Sequence, residues 1–183
     1  MIKLEPSFYQ QTDVAAVARQ LLGKILVTQT NGIRTSGIIV ETEAYAGITD
    51  RASHAWNNRR TKRTEVIYKP GGVAYVYLCY GIHHLFNVIT NVQDIPHAVL
   101  VRALEPLDGI EFMKSRYNNK APAKFTAGPG SLCKAMGINT ALNNESLSGD
   151  KVWIEEAAAI NDHDVLASTR VGVQYAGEDA YLP

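Results

Sequence analysis

Residues 24–45, KILVTQTNGIRTSGIIVETEAY, contain two apolar, β-branched runs separated by Asn31-Gly32. Runs of this composition are typical of β-strands. Asn-Gly is a strong signal for a two-residue hairpin turn, because both residues tolerate the positive φ angles that such a turn requires. We therefore predict strands over residues 24–30 and 33–45, with a bend or bulge at Gly37.

The second strand ends in acidic and aromatic residues, with Glu41, Glu43 and Tyr45 in alternate positions. Glu41 and Glu43 point to the same face, because side chains alternate along a strand. A carboxylate in aromatic surroundings can serve as a general base, and aromatic faces favour a flat, ring-shaped substrate. Two solvated acids at the surface end of a strand would show the same spacing, so the pattern leaves both interpretations open.

The rest of the chain predicts a mixed α and β fold without repeats or a dividing linker. Helices are predicted over residues 13–22, 107–117 and 131–136, and strands over 73–79, 86–92, 98–104, 152–154 and 169–174. Tyr80-Gly81 follows an aromatic-rich strand and is predicted to form an exposed hairpin tip. Residues 46–72 are polar and basic, and a loop of that length is usually functional or disordered.

Length and composition favour a globular protein. The chain has 183 residues, of which 46% are hydrophobic, enough for one domain with a sizeable core. The N-terminus lacks a signal-peptide pattern and no apolar run would span a bilayer, so we expect a cytoplasmic protein that is not secreted. Cys79 and Cys133 lack metal-ligand spacing and are expected to be reduced core residues, and no other motif predicts a metal.

Charge is distributed unevenly, although the formal net charge is zero. Residues 1–142 carry sixteen of the 18 Lys and Arg residues, whereas residues 143–183 carry eight of the 18 Asp and Glu residues. The basic excess is concentrated in one loop, at Arg59, Arg60, Lys62, Arg63 and Lys69. A basic patch is the expected footprint of a polyanion-binding site, and a solvated loop is the alternative interpretation.

Several motifs, taken in their order and spacing, resemble the alkyladenine (3-methyladenine) DNA glycosylase family. The similarity runs from about Leu21 to Gly177 and is carried by residues 40–45 (VETEAY), 53–55 (SHA), 74–81 (AYVYLCYG), 86–88 (FNV) and 101–106 (VRALEP). It implies an α+β fold, a single mixed domain over residues 1–183 around a curved, mainly antiparallel sheet with flanking helices. It also implies that neither a metal nor a cofactor is used.

The resemblance assigns roles to the residues of a base-binding pocket. Glu43 corresponds to the general base that activates water against C1′ of a flipped nucleotide. Tyr45, His54 and Tyr77 correspond to residues that stack on and bond to the damaged base. Asn87 corresponds to a residue that crowds the amino group of normal guanine.

The resemblance also places Arg102 in the base pocket, at its edge, and implies contacts with DNA beyond it. Arg102 corresponds to a residue beside the pocket and the phosphate of the flipped nucleotide. Tyr80 corresponds to the side chain that fills the gap left in the duplex, and Ile82 and His83 are the next candidates for this wedge. Phosphate contacts are expected from the basic loop and a helix N-terminus, at Arg59, Arg63 and Gly130.

The function implied is that of a monofunctional DNA glycosylase in base excision repair. Such an enzyme flips an alkylated or deaminated purine, of the 3-methyladenine, 7-methylguanine, hypoxanthine and ethenoadenine class, out of duplex DNA and hydrolyses its N-glycosidic bond. No Lys lies at the matched catalytic positions, so strand cleavage through a Schiff base is not expected. We expect a monomer that binds double-stranded DNA in the bacterial nucleoid and binds no membrane.

Two other functions stay open on the residues alone. A hydrolase of free nucleosides would use the same carboxylate and stacking residues, but it would need neither the basic loop nor an exposed Tyr80. A non-catalytic nucleic-acid-binding module would need no carboxylate in the pocket.

Three features differ from the family pattern. Thr61-Lys62-Arg63-Thr64 stands where the family commonly has Thr-Pro-Arg-Asn, and Ser131 stands at a position that is often basic. The family usually continues beyond Tyr181-Leu182-Pro183 with a strand that contains Arg-Phe-Tyr. The last difference bears on stability and on one wall of the pocket.

Overall fold

The computed structural model describes residues 2–118 and 120–182, and its centre is one antiparallel sheet. Six strands pair in the order β3-β4-β5-β2-β1-β6 and curl into a half-barrel. The strands are β1 (Ile25–Thr30), β2 (Ile33–Tyr45), β3 (Ala74–Cys79), β4 (His83–Thr90), β5 (His97–Asp108) and β6 (Val152–Glu155).

Short helices flank this sheet. The α-helices are α1 (Pro6–Tyr9), α2 (Val14–Leu21), α3 (Ile110–Ser115) and α4 (Pro129–Met136). Single turns of 3₁₀ helix occur at Gly47–Thr49, Trp56–Asn58, Glu65–Tyr68, Thr140–Leu142 and Asp162–Asp164, and a longer one at Gln174–Tyr181. The α+β fold with a curved antiparallel sheet is therefore confirmed.

The β1–β2 hairpin forms as its sequence predicts. Thr30 pairs with Ile33, and the two residues between them have positive φ, 53° at Asn31 and 76° at Gly32. The pairing of β2 with β5 shifts register between Ser36 and Gly37, which is the predicted bulge. A second irregularity lies around Glu41, where β2 approaches the cavity described below.

Helix α2 shows how the core is assembled against the sheet. Asp13 caps it by accepting hydrogen bonds from the N–H groups of Ala15 and Ala16, both at 3.0 Å. Its buried residues recur at helical spacing and face the core, at Val14, Val17, Ala18 and Leu21. Burying a Val or Leu side chain contributes about 1.5–3 kcal/mol, so this stripe holds the helix against β2 and β5.

The helix predicted over 107–117 begins later than expected. Strand β5 continues through Pro106 to Asp108, whose carboxylate accepts a hydrogen bond of 2.7 Å from Ser36. Strand β4 pairs with β5 only as far as Leu100, so the missing N–H of Pro106 breaks no bond to β4. The chain then turns at Gly109, with φ of 72°, into α3.

The strand predicted over 169–174 is wrong. Residues 170–179 form an irregular segment that lies over the end of β2, and its position depends on side-chain bonds rather than on sheet pairing. The loop over 46–72 is ordered by three 3₁₀ turns. Cys133 is a buried core residue and its thiol is free, as predicted, whereas Cys79 is half-buried at the mouth of the cavity.

Within the described ranges, no helix is long and apolar enough to cross a membrane.

Candidate active site

A cavity of about 640 Å³ opens on the face of the sheet at β2–β5. Its walls come from the end of β2, the β3–β4 hairpin, the loop after β2, the N-terminus of α4 and residues 171–175. Every residue that the sequence placed in the base pocket lines it: Glu43, Tyr45, His54, Tyr77, Asn87 and Arg102. A volume of this size is typical of a pocket for a small organic group.

The register of the sheet explains why these residues meet. Tyr75 pairs with Asn87, Asn87 with Leu100, and Leu100 with Glu43, so one row crosses four strands. Side chains in such a row project to the same face, and all four residues line the cavity. The sheet therefore presents the carboxylate and the amide side by side with an aromatic ring.

Glu43 is the buried acid of the site, with only 6% of its surface exposed. Its Oε1 accepts a hydrogen bond of 2.7 Å from the backbone N–H of Val171 and lies 3.3 Å from Nη1 of Arg102. Its Oε2 accepts a hydrogen bond of 2.8 Å from the hydroxyl of Tyr45. The carboxylate is thus oriented by two hydrogen-bond donors, Val171 and Tyr45, and by the ion pair with Arg102, and Oε2 keeps a lone pair for another donor.

Arg102 resolves the repulsion expected between the two acids of β2. Its Nε donates to Oε1 of Glu41 at 2.8 Å while Nη1 faces Glu43, so the guanidinium lies between the two carboxylates. Glu41 is exposed and Glu43 is buried. The two acids therefore share a face, as alternation predicts, but only Glu43 lines the cavity.

Aromatic rings form the wall opposite the carboxylate. The ring centroids of His54 and Tyr77 are 4.6 Å apart, and those of Tyr75 and Tyr77 are 5.3 Å apart. Nδ1 of His54 is hydrogen-bonded to the hydroxyl of Tyr75 at 2.9 Å. Burial raises the pKa of Tyr45 and Tyr77 above the usual value, so both phenols are neutral at pH 7.

His54 is also neutral at pH 7. Burial, with the positive charges of Arg63 and Arg59 nearby, lowers the pKa of His54 from 6.5 to about 4. A neutral imidazole next to two tyrosine rings presents π-electron density and adds no positive charge of its own. The pocket is therefore suited to a flat ring that is itself cationic or polarised.

Asn87 lies on the floor of the cavity and is almost completely buried. Its Nδ2 donates a hydrogen bond of 3.2 Å to the backbone oxygen of Tyr75, which holds the side chain in place. An amide that is buried and bonded in this way cannot move aside easily, so it limits what the cavity accepts at this position.

The β3–β4 hairpin tip stands at the mouth of the cavity. Tyr80 and Gly81 both have positive φ, and the ring of Tyr80 is 89% exposed. Ile82 and His83 are exposed beside it. A Cβ added at Gly130 would lie 2.9 Å from the ring of His83, so the N-terminus of α4 packs closely on the hairpin tip.

The basic residues of the loop after β2 differ from one another in whether an acidic side chain neutralises them. Arg60 forms salt bridges with Glu65 at 2.7 Å and Asp94 at 2.8 Å, so its charge is neutralised locally. Arg59 and Arg63 are exposed, and the guanidinium of Arg63 lies 5.0 Å above the ring of Tyr77. Arg63 therefore brings positive charge to the cavity lining, and Arg59 lies close enough to act on His54.

Sequence reasoning missed several residues of the site, among them Val171 and Tyr175 in the lining and the buried pair Asp50 and Arg170 behind it. Val171 contributes through its backbone, for which sequence carries no signal, and Tyr175 is an exposed aromatic on the cavity rim. Asp50 and Arg170 form a buried ion pair between residues 120 positions apart. Arg170 is one of only two basic residues among residues 143–183, which was the only available hint.

In the described part of the chain, no group of three or more His, Cys, Asp or Glu side chains is placed to hold a metal ion.

Comparison with known proteins gives one consistent result. The chain matches the model of the methylpurine-DNA glycosylase (MPG) family over residues 7–183. Among curated bacterial relatives that carry the name "Putative 3-methyladenine DNA glycosylase", the one from Chlamydia abortus is 44% identical over 182 residues, covering 98% of this chain and 95% of the relative. The relative from Clostridium acetobutylicum is 45% identical, covering 97% and 89%. The relative from Bacillus mycoides is 47% identical, covering 97% and 92%. The chain therefore belongs to the methylpurine-DNA glycosylase family, whose members are hydrolytic enzymes of DNA base excision repair.

Proposed function

We propose that this DNA glycosylase removes alkylated and deaminated purines, of the 3-methyladenine, 7-methylguanine, hypoxanthine and ethenoadenine class, from double-stranded DNA. In this proposal one monomer, with residues 1–183 as a single domain, flips the damaged nucleotide into the cavity and leaves an abasic site.

The observation that carries the proposal is the setting of Glu43. A buried carboxylate, oriented by Val171, Tyr45 and Arg102, faces a cavity whose opposite wall consists of aromatic rings. A stacked purine would lie against these rings. The sugar of the same nucleotide would then lie towards the carboxylate, where positive charge develops as the glycosidic bond breaks.

The reaction follows from this arrangement. The oxygen of a water molecule bonds to C1′ while the bond from C1′ to the purine nitrogen breaks, and the bonding electron pair leaves with the base. Glu43 accepts a proton from the water and stabilises the positive charge on the sugar. Among the described residues that line the cavity there is no Lys, which agrees with hydrolysis rather than Schiff-base chemistry.

Discrimination between damaged and normal purines has two sources in the proposal. A nucleotide purine methylated at N3 of adenine or N7 of guanine is cationic, so it gains from stacking on the aromatic faces of Tyr45, His54 and Tyr77, and it is already a good leaving group. Hypoxanthine differs from guanine by lacking the exocyclic amino group. Asn87, buried and bonded to the backbone of Tyr75, would crowd that amino group and exclude guanine.

The rim of the cavity supplies the proposed DNA interface. Exposed apolar and aromatic side chains at the hairpin tip, with Tyr80 foremost and Ile82 and His83 beside it, would fill the gap in the duplex. Tyr175, which is 71% exposed on the C-terminal segment, provides a second aromatic surface on the rim. Phosphates would be bound by Arg59, Arg63 and the backbone N–H groups at Gly130.

The test uses duplex DNA that contains a single hypoxanthine or a single alkylated purine. After incubation with the protein, alkali cleaves the strand wherever a base has been released, and the cleaved strand is measured. Cleavage at the lesion by the parent protein supports the proposal, and an undamaged duplex of the same sequence is the control. Release of bases from free nucleosides alone, or binding to the duplex without release, would contradict it.

A further inference from the structure

We propose that the buried ion pair of Asp50 and Arg170 is a positioning device for catalysis, which places the two hydrogen-bond donors that orient Glu43. The inference rests on the proposed role of Glu43 as the base. Asp50 and Arg170 do not touch the substrate in this proposal, because both are buried beneath the wall of the cavity. They act only through the groups that they hold in place.

The pair is held in a fully formed bidentate geometry. Nη1 of Arg170 donates to Oδ2 of Asp50 at 2.6 Å and Nη2 to Oδ1 at 3.0 Å, and the side chains are only 1% and 2% exposed. The two carboxylate oxygens also accept the backbone N–H groups of Ala46 at 3.1 Å and Ala52 at 2.9 Å. Parallel N–H···O bonds of this kind define orientation as well as distance.

Arg170 also ties separate segments together through backbone oxygens. Its Nη1 donates to the oxygen of Ala44 at 3.1 Å, near the end of β2, and its Nη2 to the oxygen of Asp179 at 2.6 Å. One side chain therefore joins the strand that bears Glu43, the loop that bears Asp50 and the C-terminal segment. Removing one member of such a pair leaves the other charged and buried, which is strongly unfavourable.

The Asp50–Arg170 pair acts on the Glu43 carboxylate by two routes. Arg170 immediately precedes Val171, whose N–H donates to Oε1 of Glu43 at 2.7 Å. The guanidinium of Arg170 also lies 4.9 Å above the ring of Tyr45, whose hydroxyl donates to Oε2 of Glu43. The ion pair of Glu43 with Arg102 is independent of both routes.

Other contacts of the C-terminal segment do not fix Val171. The side chain of Val171 is 60% exposed, so packing does not hold it, and Gly172 follows with φ of 77°. Further anchors lie later in the chain, at buried Val173 and Ala176, at Tyr175, whose hydroxyl donates to the oxygen of Ala52, and at Asp179, whose carboxylate accepts the N–H of Arg51. The position of the Val171 N–H is therefore set mainly by the residue before it.

The test compares Asp50→Asn, Arg170→Lys and Arg170→Met in two measurements. Single-turnover base release with saturating enzyme reports the chemical step, and affinity for the lesion duplex reports binding. We expect release to slow by about 10- to 100-fold, the scale of a small misplacement of a catalytic group, while affinity changes little. Arg170→Lys keeps the charge but loses the bidentate geometry, so it should fall between the parent and Arg170→Met.

A matched control separates positioning from stability. Ile154→Ala creates a cavity in the core on β6, at the far edge of the sheet, and should lower the melting temperature without slowing release. If Asp50→Asn and Arg170→Lys fold and release the base at the parent rate, the inference is wrong. The inference is also wrong if Ile154→Ala slows release as much as they do.

Two further variants keep the test decisive. If the ion-pair variants fail to fold, Val171→Pro is measured instead, because proline lacks the N–H that donates to Glu43. Release at the parent rate by this variant would overturn the inference. Glu43→Gln is measured in parallel. If Glu43→Gln is as fast as the parent, the proposed base is wrong; if it is slow while Asp50→Asn is fast, only the positioning role fails.

Discussion

The backbone N–H of Val171 donates a 2.7 Å hydrogen bond to the carboxylate of Glu43, although the two residues are 128 positions apart. The bond joins the irregular C-terminal segment to the centre of the sheet. It closes the cavity on one side and orients the buried acid at the same time. The chemistry proposed for this protein depends on that contact, and the following predictions test the residues around it.

Glu43→Gln should reduce single-turnover base release by about 100-fold or more, the usual contribution of a general base. Glutamine keeps the shape of the side chain but cannot accept a proton from water, so binding of the lesion duplex should persist. Glu41→Gln is the matched control, because Glu41 bonds the same arginine but is exposed outside the cavity. A Glu43→Gln protein that releases the base almost as fast as the parent would refute the assignment.

Tyr80→Ala should slow release from duplex DNA and leave stability nearly unchanged, because the ring is 89% exposed. Loss of the ring should shift flipping towards the stacked base by about 1–3 kcal/mol, the scale of one base–aromatic stack. A base-analogue fluorophore beside the lesion reports flipping directly. The deficit should be smallest for a lesion in a mismatch or in a single strand, where less unstacking is needed.

Tyr181→Ala controls for the loss of any exposed tyrosine, since Tyr181 is exposed but does not line the cavity. If Tyr80→Ala flips the lesion as fully as the parent does, the wedge is elsewhere at the tip. Ile82→Ala and His83→Ala would then be the next variants to measure.

Arg59→Gln combined with Arg63→Gln should weaken binding to damaged and undamaged DNA alike. If each residue contacts a phosphate, the slope of log K against log salt should shrink by up to about two units. Arg60→Gln is the control from the same loop, because Glu65 and Asp94 already neutralise its charge. An unchanged slope in the double variant would mean that the loop is merely solvated.

Asn87→Ser should enlarge the cavity floor and raise the release of undamaged guanine relative to hypoxanthine. The measured quantity is the ratio of the two single-turnover rates on duplexes of identical sequence. Asn91→Ser serves as the control, because Asn91 is buried but lies outside the cavity lining. A ratio that is the same in Asn87→Ser as in the parent would show that guanine is excluded by another residue.

Protonation of His54 should destabilise the fold in acid. The pKa of His54 is about 4 in the folded protein against 6.5 in its ordinary state, so between these values the unfolded chain binds more protons. The free energy of unfolding should therefore hold steady above about pH 6.5 and fall as the pH drops towards 4. Burial also lowers the pKa of His97, which adds to the same trend.

Urea unfolding of the parent and of His54→Gln across this pH range measures the effect. In His54→Gln the free energy of unfolding should fall less steeply with decreasing pH than in the parent. The part of the fall that comes from His97 should remain. His163→Gln, at an exposed histidine, should follow the parent curve. Parallel curves for the parent and His54→Gln would contradict the prediction.

Elements with a strong local signal were predictable from the sequence. The Asn31-Gly32 turn, the Tyr80-Gly81 tip and the capped helix α2 rest on backbone preferences and periodicity that a few neighbouring residues specify. The face shared by Glu41 and Glu43 follows from alternation in the same way. The cavity lining was predictable too, but mainly through the resemblance of motifs rather than through any local rule.

Long-range contacts decided the rest. The sequence predicts a strand over residues 169–174, yet that segment is placed by the bond of Arg170 to Asp50, 120 residues earlier, and not by pairing with the sheet. Strand β5 runs on to Asp108 because β2 offers it a partner there, which overrides the tendency of the sequence after Pro106 to form a helix. Such contacts join residues that are far apart in the chain. The energies of these contacts exceed the small local preferences from which secondary structure is predicted. The arrangement around Glu43, with a backbone donor, a tyrosine and an arginine from three segments, therefore exists only in the folded chain.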